Sequence, residues 1–170
     1  MVCPFAEQEK CMKITVIAVG KLKEKYWRAA IDEYAKRLGR YVSFEIIEVA
    51  DEQTSENASA KEEENVKRIE GERILKRLPE NSLKTALAIN GKKMDSVGFS
   101  SWISDSMLRG ASHISFIIGG SLGLSDEVLQ KADVKISFSD MTFPHQLMRV
   151  ILAEQIYRAF RIMKNEPYHK

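Results

Sequence analysis

The sequence predicts an α/β fold, a mostly parallel sheet of five to six strands with helices on both faces. Three observations predict it. Apolar, β-branched runs recur five times, each followed by a stretch with helical apolar spacing. The run Ile114-Ser115-Phe116-Ile117-Ile118 is apolar almost throughout, as a strand covered on both faces requires. Two late strands open into short loops, Gly119-Gly120-Ser121-Leu122-Gly123 and Ser139-Asp140-Met141-Thr142-Phe143. Such loops lie at the carboxyl ends of strands, where open α/β sheets bind ligands. A double glycine there removes the Cβ atoms that would keep a ligand from the backbone.

The elements follow in order. Residues 1–11 fit none of them and read as a disordered tail or an added leader before a natural start at Met12. Lys13–Val19 reads as a strand ended by Gly20. A helix over Glu24–Leu38 follows, with Tyr26, Trp27, Ala30, Ile31 and Tyr34 at helical spacing and Gly39 as its stop. Phe44–Val49 is the second strand. Ser59-Ala60-Lys61-Glu62 is a capping-box pattern that opens a helix running to about Leu78, before Pro79. Thr85–Ile89 reads as a strand closed by an Asn90-Gly91 turn. Ser96–Leu108 is helical, His113–Ile118 a strand, Ser125–Ala132 a short helix and Val134–Phe138 the last strand. Pro144 is placed in the first turn of a closing helix, where its missing N–H does no harm. That helix carries Leu147, Met148, Val150, Ile151, Leu152, Ile156, Tyr157, Phe160 and Met163, more apolar surface than one sheet face needs. The surplus predicts a two-fold homodimer.

With 170 residues, 44% hydrophobic and 29% charged, the chain is one ordinary globular domain with a sizeable core. No apolar run spans a bilayer and no secretory leader pattern opens the chain, so the expected compartment is the cytoplasm, with no membrane partner. Cys3 and Cys11 have no nearby histidine and are too few for a disulfide framework. The net charge of +2 is unremarkable, but its distribution is uneven. Lys13 to Arg40 holds eight basic residues against three acidic ones, and Asp51 to Glu64 six acidic residues against Lys61. A basic face suits a phosphate-rich partner, and equally describes ordinary solvated helix faces.

Several nucleotide and catalytic motifs are missing. Gly20-Lys21-Leu22-Lys23, after the first strand, lacks G-x-G-x-x-G, and no phosphate-binding G-x-x-x-x-G-K-[ST] occurs. There is no G-x-S-x-G nucleophile elbow and no H-E-x-x-H, which argues against the usual hydrolase and against a catalytic metal.

Taken in order, several segments resemble the ribosomal large-subunit methyltransferase H family, of the SPOUT class of S-adenosylmethionine-dependent RNA methyltransferases. They are Met12 to Lys21, Gly71-Glu72-Arg73-Ile74-Leu75, Ile118 to Leu124, Ser137 to Val150, Glu154 to Ala159 and the terminal Pro167-Tyr168-His169-Lys170. The resemblance covers residues 12–170, a single SPOUT methyltransferase domain. It implies a C-terminal trefoil knot, which no hydrophobic pattern could indicate. It also implies a homodimer, S-adenosylmethionine as cofactor, and N3 of a pseudouridine in 23S rRNA of the assembled ribosome as target.

Carried onto this chain, the resemblance places the cofactor at Leu87, Gly119, Gly120, Phe138, Ser139, Asp140, Met141, Thr142 and Phe143. Methyl transfer demands placement, dryness and loss of the acceptor's proton. Tyr168, His169 and Arg149 are the catalytic candidates. The tail Tyr168-His169-Lys170 combines a ring, an imidazole and a cation, which suits an unstacked base and its phosphate. By the resemblance it reaches an active site, the partner subunit's included. Arg149 is expected to bind phosphate or pair with Glu154, and His145 to hydrogen-bond the 139–143 loop. Two other readings keep the fold: a non-catalytic RNA- or ribosome-binding module, and a small-molecule enzyme using a nucleotide in the same crevice.

Overall fold

A computed structural model describes residues 12–55 and 57–168. The expectations for residues 1–11, including both cysteines, and for His169 and Lys170 lie outside the described residues. The elements alternate throughout: β1 Lys13–Val19, α1 Lys25–Leu38, β2 Ser43–Val49, α2 Ala60–Leu75, β3 Leu83–Lys93, α3 Ser96–Leu108, β4 His113–Ile118, α4 Asp126–Lys131, β5 Val134–Ser137 and α5 His145–Met163. The sheet has five strands in the order β2-β1-β4-β3-β5, and every pairing is parallel.

Period-two alternation sorts the strand residues to two faces. Ile14, Val16 and Ala18 of β1 and Ile114, Phe116 and Ile118 of β4 face one core, with Leu38 of α1, Phe99 and Ile103 of α3 and Leu152, Ile156 and Phe160 of α5. Ile17, Val19 and Ile117 face the other, against Ile74 of α2 and Val128 of α4. Helices α1, α3 and α5 therefore cover one side, α2 and α4 the other. The apolar surplus of α5 is largely absorbed within the chain, because α5 lies between α1 and α3. Leu147, Val150 and Ile151 stay half-buried.

Local signals explain most helix starts. Ser59 and Glu62 form the expected capping box, and Asp95 and Ser125 cap α3 and α4 through their side chains. A Cβ on Gly71 would collide with Ser125, so this glycine lets α2 pack tightly on the start of α4. Pro144 is the N-cap of α5, with extended ψ, one residue before the expected first turn. Its ring still costs no hydrogen bond, since an N-cap N–H has no partner within the helix.

One element differs in kind. The Asn90-Gly91 pair does not end β3. The strand runs on to Lys93, and Leu87 and Lys92 both pair with Ile136, so the residues between them form a bulge. A Cβ on Gly91 would stand 2.5 Å from the Ile136 carbonyl carbon and 2.7 Å from its nitrogen. The glycine thus marks close backbone approach within a sheet, a role its sequence shares with a turn. Gly91→Ala is expected to lower stability by about 1–3 kcal/mol through this overlap. Urea unfolding checks it: a midpoint equal to the parent's would mean the bulge does not need glycine.

Candidate active site

A cavity of about 700 Å³ opens at the carboxyl ends of the adjacent strands β4, β3 and β5. Ligand pockets run from roughly 300 to 1,000 Å³. Of the nine residues assigned to the cofactor, eight line it: Leu87, Gly119, Gly120, Phe138, Ser139, Met141, Thr142 and Phe143. Asp140 instead turns outward and pairs with Lys93. The bulge adds Ala88 and Ile89, and the start of α5 adds His145 and Met148. The walls are apolar where Leu87, Ile89, Ile136, Phe138 and Met148 meet. Ser121 and Thr142 add hydroxyls, while the Ser137 hydroxyl donates to the Ser139 carbonyl and Ser139 Oγ accepts from the Met141 N–H, which fixes the loop. This donor set fits a nucleoside, with apolar faces for a base and hydroxyls for a ribose.

The glycines serve the protein's own packing, which corrects the reading that their missing Cβ atoms make room for a ligand. A Cβ on Gly119 would stand 2.6 Å from the Gly123 carbonyl, and one on Gly120 2.7 Å from Glu70 Oε2. Gly120 and Gly123 close an antiparallel bridge, Gly123 donating to the Gly120 carbonyl at 3.1 Å with φ +85°. The tight turn thereby exposes its backbone edge to the cavity.

Glu70 of α2 lies beneath this turn, 4% exposed. Its Oε1 accepts from the Glu52 N–H at 3.0 Å, while Oε2 has no hydrogen-bond partner among the described residues. Burial raises its pKa and nearby Asp51 adds to the rise; the Glu52 N–H bond and Arg73 oppose it.

Arg149 is fully buried. It pairs with Glu48 rather than with Glu154: Nη1 donates to Glu48 Oε1 at 3.0 Å, and Nη2 to the carbonyls of Val19 and Gly20 at 2.6 and 2.8 Å. Glu154 pairs with Arg158. The guanidinium thus ties α5 to the ends of β1 and β2, and no edge of it is open to a phosphate.

His145, one turn before Arg149 on the same helix face, is the ionisable side chain in the cavity wall. Its Nε2 stands 3.4 Å from where a Gly20 Cβ would be, and among the described residues its ring makes no hydrogen bond to the 139–143 loop. Burial and the Arg149 charge lower its pKa, with Asp51 opposing, so the imidazole is neutral at pH 7.

Tyr168 docks on α5 far from its own chain's cavity. Its ring meets Tyr157 edge-on at 5.1 Å, lies 4.7 Å from the Arg158 guanidinium carbon, and its hydroxyl donates to Glu154 Oε1 at 3.3 Å. Six residues separate Glu154 from Met148, the last cavity residue on α5, about 9 Å along a helix. Sequence reasoning did not single out Glu48, Asp51 or Glu70. Glu48 offers one signal, an acidic residue near the end of an apolar strand. Glu70 offers none, since it stands in a helix crowded with solvent-facing glutamates.

Two outcomes test this geometry. Arg149→Met leaves strand-end carbonyls unpartnered and is expected to cost about 3 kcal/mol; a urea midpoint matching the parent's would deny the clamp. The raised Glu70 pKa means the folded state holds that proton more tightly than the unfolded chain. Its contribution is greatest below the ordinary carboxyl pKa, about 4.3, and is lost as pH rises through the raised value. Glu70→Gln removes that loss, so its melting temperature is expected to exceed the parent's near neutral pH and to converge with it in acid. A gap that does not change with pH would contradict the assignment.

Among the described residues no helix is long and apolar enough to cross a membrane, and no group of three or more His, Cys, Asp or Glu could hold a metal ion. The family model described as predicted SPOUT methyltransferase matches residues 12–169. Proteins named ribosomal RNA large subunit methyltransferase H are similar over 159 residues, 94% of this chain and all of theirs. Those from Clostridium perfringens strain SM101 (there with the suffix 1) and Clostridium kluyveri are 58% identical, and that from Clostridium tetani 55%. A solved structure of a probable methylase family protein from Haemophilus influenzae matches with a TM-score of 0.50 at 10% identity, over 95% of this chain and 71% of that one, a likeness of fold alone. Strand order, cavity and sequence agree: the chain belongs to the SPOUT methyltransferase family and, within it, to the ribosomal RNA large subunit methyltransferase H group.

Proposed function

We propose that the chain transfers a methyl group from S-adenosylmethionine to N3 of a pseudouridine in 23S rRNA of the assembled ribosome, acting in the cytoplasm as a homodimer with a knotted C-terminal segment. The observation that carries the reading is the cavity at three parallel strand ends, walled by the Phe138–Phe143 loop and joined to sequence membership of the family. Bound there, S-adenosylmethionine supplies an electrophilic methyl on a sulfonium.

The chain's residues do the rest. Leu87, Ile136 and Phe138 exclude water from the cavity's inner wall and offer a base its apolar faces. The loop from Phe138 to Phe143 and the Gly119–Gly123 turn fix the donor's orientation, and fixed orientation is the largest help to an in-line displacement. A neutral His145 leaves the wall without a positive charge to oppose a sulfonium. Arg149 acts as a positioning residue through Glu48 and the β1 carbonyls. The tail Tyr168-His169-Lys170 supplies stacking, a proton acceptor for N3–H and a phosphate contact. Because Tyr168 lies far along α5 from its own cavity, the tail of one protomer serves the cavity of its partner.

Calorimetry with S-adenosylmethionine and transfer of labelled methyl to ribosomes, separate subunits and free rRNA test the reading. Saturable binding near one equivalent per chain and labelling of assembled ribosomes are expected. Binding without labelling of any RNA would favour the non-catalytic module. Deleting residues 168–170 is expected to reduce turnover by at least about a hundredfold, as loss of positioned acid–base groups does, with cofactor affinity nearly unchanged. Parent-like turnover would remove the tail from the mechanism.

A further inference from the structure

We propose that the segment leaving β1, Gly20 to Lys25, is a phosphate track: Lys21 and Lys23 grip successive phosphodiesters of the RNA strand beside the target nucleotide. The inference rests on RNA being the methyl acceptor, and it names the part of the chain that holds that RNA at the cavity mouth.

Gly20, at φ +84°, turns the chain out of the sheet. Lys21 is exposed, Leu22 buried and Lys23 exposed, the alternation of an extended segment. The two lysines therefore lie on one side, about 6.5 Å apart along the chain. Glu24, the acidic residue of the run, is exposed as well; it stands at the N-cap of α1 and its side chain makes no cap hydrogen bond.

The backbone beneath these lysines is fixed. Leu22 packs against Ile31 and Ala153. Its N–H donates to Glu48 Oε1 at 2.8 Å, and its carbonyl accepts from Arg28 Nε at 2.8 Å. The Lys23 N–H donates to Gln146 Oε1 at 3.2 Å. Glu48 is the same carboxylate that Arg149 holds, and Gln146 follows the cavity residue His145. The track is thus built onto the cavity wall through three hydrogen bonds and a packed leucine.

The ammonium groups themselves are free. Among the described residues no carboxylate lies within ion-pair distance of Lys21, Lys23 or the following Lys25, all three exposed. Like charges held side by side on a rigid backbone repel one another, and a polyanion relieves that repulsion. Across Gly20 stands Asp51, whose Cβ lies 3.8 Å from the position of a Gly20 Cβ, while the next residue, Glu52, is paired with Arg73. The Asp51 carboxylate disfavours phosphate on that side, and the lysines favour it on theirs. Two exposed point charges suit a phosphodiester backbone, read by charge and not by sequence.

The test is the double variant Lys21→Gln, Lys23→Gln, compared with the parent for binding to ribosomes and to naked rRNA across a salt series. Loss of two phosphate contacts is expected to make the plot of log affinity against log salt shallower by about 1 to 2, with roughly tenfold weaker binding at low salt. KM for ribosomes should rise in step, with S-adenosylmethionine affinity unchanged. A salt slope equal to the parent's overturns the proposal. So does a shallower slope on ribosomes alone, which would assign the lysines to an acidic ribosomal protein. Should the parent fail to label any RNA, the proposed function falls while this binding comparison still decides the track.

Discussion

Arg149 reaches from the start of α5 to the carboxyl ends of β1 and β2, where it binds the Glu48 carboxylate and the carbonyls of Val19 and Gly20. Taking a guanidinium wholly out of water costs several kcal/mol, so the arrangement is stable only while these acceptors stay in place. Two other features depend on it. His145, one turn earlier on α5, is held against Gly20 and the cavity. Glu48 has its second bond from the Leu22 N–H, which fixes the segment leaving β1. One ion pair therefore sets the angle of the closing helix, the cavity's histidine and the first loop together.

Close backbone approach is the second constraint. Gly71 brings α2 onto α4, Gly91 brings the β3 bulge onto β5, and Gly119 and Gly120 let the turn after β4 fold on itself over Glu70. Each contact fills the space a Cβ would occupy. Together they draw the loops inward at one end of the sheet, and the cavity is what lies between them. The bulge matters most for its lining, since it carries Ala88 and Ile89 into the wall.

Charge is arranged in zones around that cavity. Its wall holds a histidine kept neutral by burial and by Arg149, which suits a cationic methyl donor. Glu70 and Asp51 stand behind the β1 side, and Lys21 and Lys23 stand exposed on the first loop. On the proposed reading a positive donor and a negative acceptor strand meet different surfaces, although the whole chain is nearly balanced at +2.

The sequence by itself determined the element order, the parallel sheet and the strand ends that carry the cavity. Hydrophobic period and cap chemistry are local, so Lys13–Val19 or the Ser59–Glu62 box can be read without knowing the neighbours. The loop from Phe138 to Phe143 and Leu87 entered the candidate site through family resemblance, on motifs visible in the sequence. Tertiary structure alone decided where partners come from elsewhere in the chain. Arg149 has Glu154 five residues along its own helix, yet its buried partner is Glu48, 101 residues distant. Asn90-Gly91 reads as a turn and is a bulge, because Ile136 passes against it. Glu70 is indistinguishable in sequence from its exposed neighbours and is buried by the turn above it. Pairing across a sheet is a property of register and crossover, and neither leaves a mark on the residues that meet.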